Sequence, residues 1–167
     1  MRKWSNHLYY CNSKKQYLAA IAATKKEWTT LHKRCHCGDI MKMKLRTVIY
    51  SGKVEIDNVP IFSCTTCNRS EVFPEVKPDL TGLISQLGAQ PDKQTFLFNE
   101  CNEWANLLVE AKAEKQQTDQ SAFERLVEQR INKLLDLYLL AQSLNDEAWI
   151  EDLKKRLEQI SRRTLLT

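Results

Sequence analysis

The sequence predicts an α+β fold: a small three-stranded β-hairpin module preceded by a helix and followed by an antiparallel helical bundle. Three observations carry this. Apolar residues alternate with period two between residues 43 and 64, as in half-buried strands. Two close cysteine pairs, Cys35/Cys37 and Cys64/Cys67, bracket that stretch. From residue 92 to the end the apolar residues recur at i, i+3/i+4 and i+7, the spacing of one helix face.

Taken in order, Trp4–Tyr10 reads as a short strand or ordered arm. Asn12 or Ser13 can cap a helix over residues 13–32 that gathers Tyr17, Leu18, Ile21, Ala22, Trp28 and Leu31 on one side. Met43–Tyr50 reads as a strand, Lys53–Asp57 as a second, and Pro60–Cys64 as a third. Ser51-Gly52 between the first two is a two-residue hairpin signal. Pro60, lacking an N–H, is expected at a strand start or edge. Pro78–Gly88 reads as a brief helix stopped by Gly88, and Ala89–Asp92 as a linker. The expected domains are therefore residues 1–91 and 92–167.

In the second of these, one helix is expected over 93–115, with Phe96, Leu97, Cys101, Trp104, Leu108 and Ala111 inward. A second, opened by a Ser121/Glu124 capping box, runs to Ser143 with Phe123, Leu126, Val127, Ile131, Leu134, Leu135, Tyr138 and Ala141 inward. Asn145 can cap a third that carries Trp149, Ile150, Leu153, Leu157 and Ile160. The short connections make neighbouring helices antiparallel.

The composition, 43% hydrophobic and 28% charged, is that of a soluble intracellular protein. No run approaches the roughly 18 apolar residues that span a bilayer. The basic start Met1-Arg2-Lys3 is not followed by the apolar core of a secretory signal. A cytoplasmic location follows, with no membrane partner. The net charge of +4 is uneven: residues 1–91 hold 14 Lys/Arg against 7 Asp/Glu, and residues 92–167 hold 11 against 14. A basic front half suits a polyanion partner or is simply a solvated surface.

Six cysteines in a chain with no export signal read as metal ligands rather than as disulfides. Cys35-His36-Cys37-Gly38 and Cys64-Thr65-Thr66-Cys67 supply four thiolates in two local pairs, the donor set of a closed tetrahedral zinc site. One structural Zn²⁺ held by Cys35, Cys37, Cys64 and Cys67 is expected. The first pair is one residue shorter than usual, and His32 or His36 stands as the alternative to Cys35. Gly38 and Asn68 occupy the matching places after each pair, where the chain must turn tightly. A hairpin this small is marginal alone, and structural zinc adds on the order of 10 kcal/mol of apparent binding free energy to such folds. No carboxylate base is expected at the metal. The unpaired Cys11 and Cys101 read as small core hydrophobes.

Tyr50-Ser51-Gly52, the step Asn58-Val59-Pro60 and the trailing pair Cys64/Cys67 together resemble the YgiT-type zinc-finger family over about residues 35–76. The resemblance implies a finger fold with the four cysteines as zinc ligands, a protein-binding role and a bacterial host. Family members that bind DNA do so through a following helix-turn-helix. Leu83–Gly88 is followed here by no recognition helix rich in Arg, Asn or Gln.

No Gly-rich phosphate loop, nucleophile elbow or His-Glu zinc helix is present, so a non-enzymatic adaptor or regulator working through protein contacts is expected. Self-association is compatible with this reading. The alternative is nucleic-acid binding by Lys33, Arg34, Lys42, Lys44, Arg46, Lys53 and Arg69 around the cysteine module. A carboxylate metal site from Glu100, Glu103, Glu110, Glu114 and Glu128 lacks the histidines that di-metal bundles use, since residues 92–167 contain none.

Overall fold

The strand periodicity and the helix periodicity both appear in the computed structural model, which describes residues 31–114 and 119–161. The expected helix over 13–32 lies outside these up to residue 30, as do Cys11 and the Trp4–Tyr10 segment. The described residues fall into two compact units, one of Thr30–Val127 and one from Glu128 onward. The boundary expected at residue 91 falls inside the first unit.

Five strands form one sheet: β1 (His32–Arg34), β2 (Ile40–Tyr50), β3 (Val54–Ser63), β4 (Ser70–Val72) and β5 (Gln94–Leu97). The order β1-β2-β3-β4 is antiparallel throughout, and β5 adds to β3 in parallel. β2 and β3 are joined at one end by a turn in which the Lys53 N–H donates to the Tyr50 carbonyl at 3.1 Å. Ser51 (φ 53°) and Gly52 (φ 67°) are both left-handed, the sign pattern of a type I′ hairpin turn. Because β2 and β3 run antiparallel from this turn, the β1–β2 and β3–β4 connections emerge together at the other end. Those connections are the two cysteine knuckles.

The sequence reading divides β3 in two, at Asp57 and Pro60, whereas the structure has a single strand bent by a bulge. The register with β2 shifts between Arg46 and Val48, and Asn58 sits there at φ 60°. Asn is among the few residues that accept this conformation at low cost. Its amide is further fixed by donating to Asn99 Oδ1 at 2.8 Å. Pro60 lies inside the strand, not at its start or edge. Its carbonyl accepts from the Phe73 N–H at 3.0 Å, so its backbone faces away from β2. The missing N–H therefore costs the β2–β3 ladder nothing.

After a 3₁₀ turn (Pro74–Val76), α1 spans Lys77–Leu87 and ends at Gly88 (φ 71°), as the sequence predicts. The Tyr50 hydroxyl donates to the Gly88 carbonyl at 2.9 Å and ties the hairpin to the helix end. The helix expected over 93–115 is instead β5, the short α2 (Phe98–Cys101) and α3 (Glu103–Ala113). Two features override the helical periodicity. The edge of β3 at Val54–Asp57 needs a partner, and β5 supplies it. Asn102, extended at φ −136°, starts a new helix by accepting from the Ala105 N–H at 3.0 Å. Phe98 is fully buried in place of Phe96 and Leu97, and Cys101 is exposed rather than core.

α4 (Gln120–Leu144) begins one residue before the expected capping box. Asp119 caps it, with Oδ1 accepting from the N–H groups of Ser121 and Ala122 at 3.0 and 3.2 Å. α5 (Glu147–Ser161) is likewise capped by Asp146, which accepts from the Trp149 N–H at 3.1 Å, while Asn145 is the left-handed residue (φ 54°) that ends α4. The predicted inward residues of both helices are buried, except that Tyr138 and Trp149 are half-buried.

The first unit is held by a row of aromatic rings. Phe62 of β3 meets Phe73 edge-on at 5.8 Å, Phe73 meets Trp104 of α3 edge-on at 5.8 Å, and Trp104 meets Phe123 of α4 at 6.4 Å. Such pairs add roughly 0.5–1.5 kcal/mol each beyond burial. Trp104 is only 3% exposed. Trp104→Ala is expected to lower the unfolding free energy by about 3–5 kcal/mol in a urea titration. Trp149→Ala, at a half-buried site, is expected to cost clearly less. An unchanged midpoint for Trp104→Ala would contradict this core.

Candidate metal centre

Each knuckle is a turn closed by a backbone bond from the N–H of its first cysteine. In the first, the Cys35 N–H donates to the Asp39 carbonyl at 2.7 Å and the Gly38 N–H to the Cys35 carbonyl at 3.0 Å. In the second, the Cys64 N–H donates to the Arg69 carbonyl at 2.9 Å. The closing carbonyl comes one residue earlier in the first knuckle, which absorbs its missing residue without displacing either cysteine. Gly38 (φ 92°) and Asn68 (φ 57°) both turn left-handed after the second cysteine of their pair. The sequence assigned them matching roles, and they hold matching conformations.

The result is a cluster. The Sγ atoms of Cys35, Cys37, Cys64 and Cys67 all lie within 4.8 Å of one another, close enough to hold a metal ion. Across the knuckles, Cys35 Sγ lies 3.5 Å from Cys67 Sγ and Cys37 Sγ 3.6 Å from Cys64 Sγ. A tetrahedral shell with metal–sulfur bonds of about 2.3 Å places its sulfurs about 3.8 Å apart, so the donor set fits such an ion with little adjustment. His32 and His36 are both exposed, and neither belongs to this cluster. Cys35 and Cys64 are buried, while Cys37 and Cys67 face solvent.

The Cys64 and Cys37 thiols are shifted in opposite directions. Backbone N–H groups of Cys67 and then Thr66 draw the Cys64 thiol down to about 7, against desolvation. At Cys37 the largest contribution, the Asp39 N–H, also lowers the pKa. Hydrogen bonds with Cys35, Cys64 and Cys67, together with desolvation, outweigh it and push Cys37 up to about 12. Cys64 is thus prepared to ionise while Cys37 holds its proton. A cation that replaces the thiol protons relieves the crowding of sulfurs.

Two contacts missed by the sequence reading lock the knuckles together. Thr66 of the second donates its hydroxyl to Asp39 Oδ2 of the first. That bond, followed by the Ile40 N–H, holds the Asp39 carboxyl below the usual range. The Asp39 carboxylate lies outside the cysteine cluster and serves as a tie between the loops. On the adjoining strands, Lys33 Nζ of β1 lies 2.8 Å from Glu71 Oε2 of β4. These are the outermost strands of the four-strand order, so the sheet curls far enough for them to touch. The hydrogen bond from Lys33, the largest cause, lowers the Glu71 pKa. That stabilisation is present at neutral pH and is lost as the pH falls through the lowered value. No short-range pattern announces either pair, because each joins residues at least 27 positions apart.

The suggested nucleic-acid residues are distributed by strand parity. Lys42, Lys44 and Arg46 share one side of β2, opposite the buried Met41 and Met43. Arg34, Lys53 and Arg69 are exposed, and Lys33 is the one engaged by Glu71. Of the glutamates considered for a carboxylate site, Glu103 is buried and Glu100 and Glu114 are exposed. The metal-ligating cluster found among the described residues is the cysteine one. No described helix is long and apolar enough to cross a membrane.

A side chain at Gly38 would meet nothing within 4 Å, so Gly38→Ala tests backbone conformation alone. It is expected to cost about 1–2 kcal/mol and to weaken metal binding about fivefold to thirtyfold in chelator competition, since folding and binding are coupled. Asn68→Gly is expected to bind about as well as the parent. Equal loss in both variants would contradict the matched-turn geometry. No family model, curated protein or solved structure matches this chain, which leaves the cysteine cluster as the guide to its chemistry.

Proposed function

We propose that the chain is a non-enzymatic zinc-binding interaction protein, an adaptor or regulator of the bacterial cytoplasm whose metal ion holds the cysteine end of the sheet in shape. The observation that carries this reading is the convergence of four sulfurs from two knuckles within 4.8 Å. Four thiolates complete a tetrahedral shell and leave no position open for a substrate or an activated water. Thiolate-rich tetrahedral sites favour zinc or iron, and zinc needs no redox partner. The resemblance of residues 35–76 to YgiT-type fingers supports zinc, a bacterial host and a protein partner. Reduced, metal-bound cysteines suit a reducing compartment.

Nucleic-acid binding is the second reading, and one arrangement favours it. Lys42, Lys44 and Arg46 project from one side of β2, and the register places His32 and Arg34 of β1 on that side too. A salt titration with DNA and RNA oligonucleotides separates the readings, because phosphate contacts give an affinity that falls steeply with salt. No binding at low salt eliminates the second.

For the first reading, elemental analysis of the purified, reduced protein is expected to find one zinc per chain. Cys64→Ser is expected to lose it and to unfold the knuckle end, leaving the helical signal of residues 128–161. Acid is expected to release the metal as the thiolates regain protons. Full metal retention by Cys64→Ser would contradict the ligand set.

A further inference from the structure

β3 covers one side of β2 along its length, but β1 covers the other side only at Ile40, Met41 and Lys42. Beyond them a single bond continues the pairing, from the Met43 N–H to the Leu31 carbonyl at 2.9 Å. In a strand the N–H and C=O of one residue point to the same side, and successive residues alternate. The Met43 bond therefore shows that Leu45, Thr47 and Ile49 aim their backbone groups away from β3. Among the described residues, no strand meets them.

Proteins usually shorten or guard such edges. This one ends in Ile49, whose side chain is 66% exposed. The side chains beside the edge are segregated by face. Lys42, Lys44 and Arg46 lie on one face. On the other, Thr47 binds Asp57 at 2.6 Å and Ile49 stands opposite Glu55. A second copy of the chain would set Lys44 and Arg46 against their own like charges. A strand with carboxylates at alternate positions would meet them with opposite charge. Nucleic acid fits the edge poorly, because half of its open groups are carbonyls that repel phosphate, and Ile49 gains nothing from it.

We propose that residues Leu45–Ile49 of β2 accept an extended acidic segment of a partner protein as an added strand. Acidic residues of that segment face Lys44 and Arg46, and apolar ones cover Ile49. Main-chain bonds supply affinity and the alternating side chains supply selectivity. This rests on the interaction-protein reading above and names the surface through which it operates.

The test is amide exchange by NMR on the full-length, zinc-loaded protein. The probe is a seven-residue peptide alternating valine with glutamate, with a valine–lysine peptide and a single-stranded DNA oligonucleotide as comparisons. With peptide about tenfold above its Kd, exchange at Leu45, Thr47 and Ile49 is expected to slow about tenfold, and Met43 to stay unchanged. Ile49→Pro removes an outward N–H and leaves the bonds to β3 in place, so it is expected to weaken peptide binding at least about tenfold while zinc is retained. Should that variant fail to fold, the double change Lys44→Glu with Arg46→Glu decides alone: it is expected to move the preference to the valine–lysine peptide. No slowing at the three amides, equal preference for both peptides, or the same protection from DNA would overturn the edge proposal. Loss of edge binding alone is distinct from failure of the interaction reading, which would show as steeply salt-dependent nucleic-acid binding elsewhere.

Discussion

Sulfur-to-sulfur separations of 3.5 and 3.6 Å across two loops set a condition that the surrounding chain must satisfy. Two hairpins have to end at the same place, and their tips have to turn toward each other. The antiparallel pairing of β2 with β3 meets the first demand, because it carries both knuckles to the end opposite the Ser51-Gly52 turn. Left-handed residues at Gly38 and Asn68 meet the second. The Thr66–Asp39 and Lys33–Glu71 contacts then hold the loops and the outer strands in that arrangement. Exposed ion pairs and hydrogen bonds of this kind are individually weak. They orient the loops, and a bound cation would supply most of the energy.

The other end of the sheet is supported differently. There β5, α2 and α3 pack on β3, and Val54, Ile56 and Phe98 are fully buried. The bulge at Asn58 lies between the two regimes. It bends β3 and hands Pro60 a place where the missing N–H goes unused by β2. Tyr50 ties the turn to the end of α1, and Asn58 ties the bulge to Asn99. Tyr50, Gly52, Asn58 and Pro60 thus each have a local structural task. Between the two ends, the row Phe62–Phe73–Trp104–Phe123 couples the sheet to the helices through ring contacts rather than polar bonds.

The sequence was most informative where a residue type has few conformational uses. Cysteine pairs and glycines located the knuckles, the hairpin turn and the end of α1, whereas the expectation for Pro60 failed. The long apolar periods of α4 and α5 were legible because a buried helical stripe repeats over many turns. The errors fell where tertiary contacts outweigh local pattern. Gln94–Leu97 has the spacing of a helix face but is drawn into the sheet by the unpaired side of β3. Asp119 displaced the predicted cap Ser121 by two positions and Asp146 displaced Asn145 by one, shifts to which helix boundaries are prone. The five-strand sheet, the Thr66–Asp39 tie and the edge of β2 left open among the described residues all depend on pairings between distant residues, which no local window contains.

X-ray absorption at the zinc edge, on the purified and reduced full-length protein, tests the central claim most directly. The account requires a single zinc environment of four sulfur neighbours at about 2.3 Å. A first shell containing nitrogen or oxygen, or a folded protein with no zinc absorption at all, would contradict it.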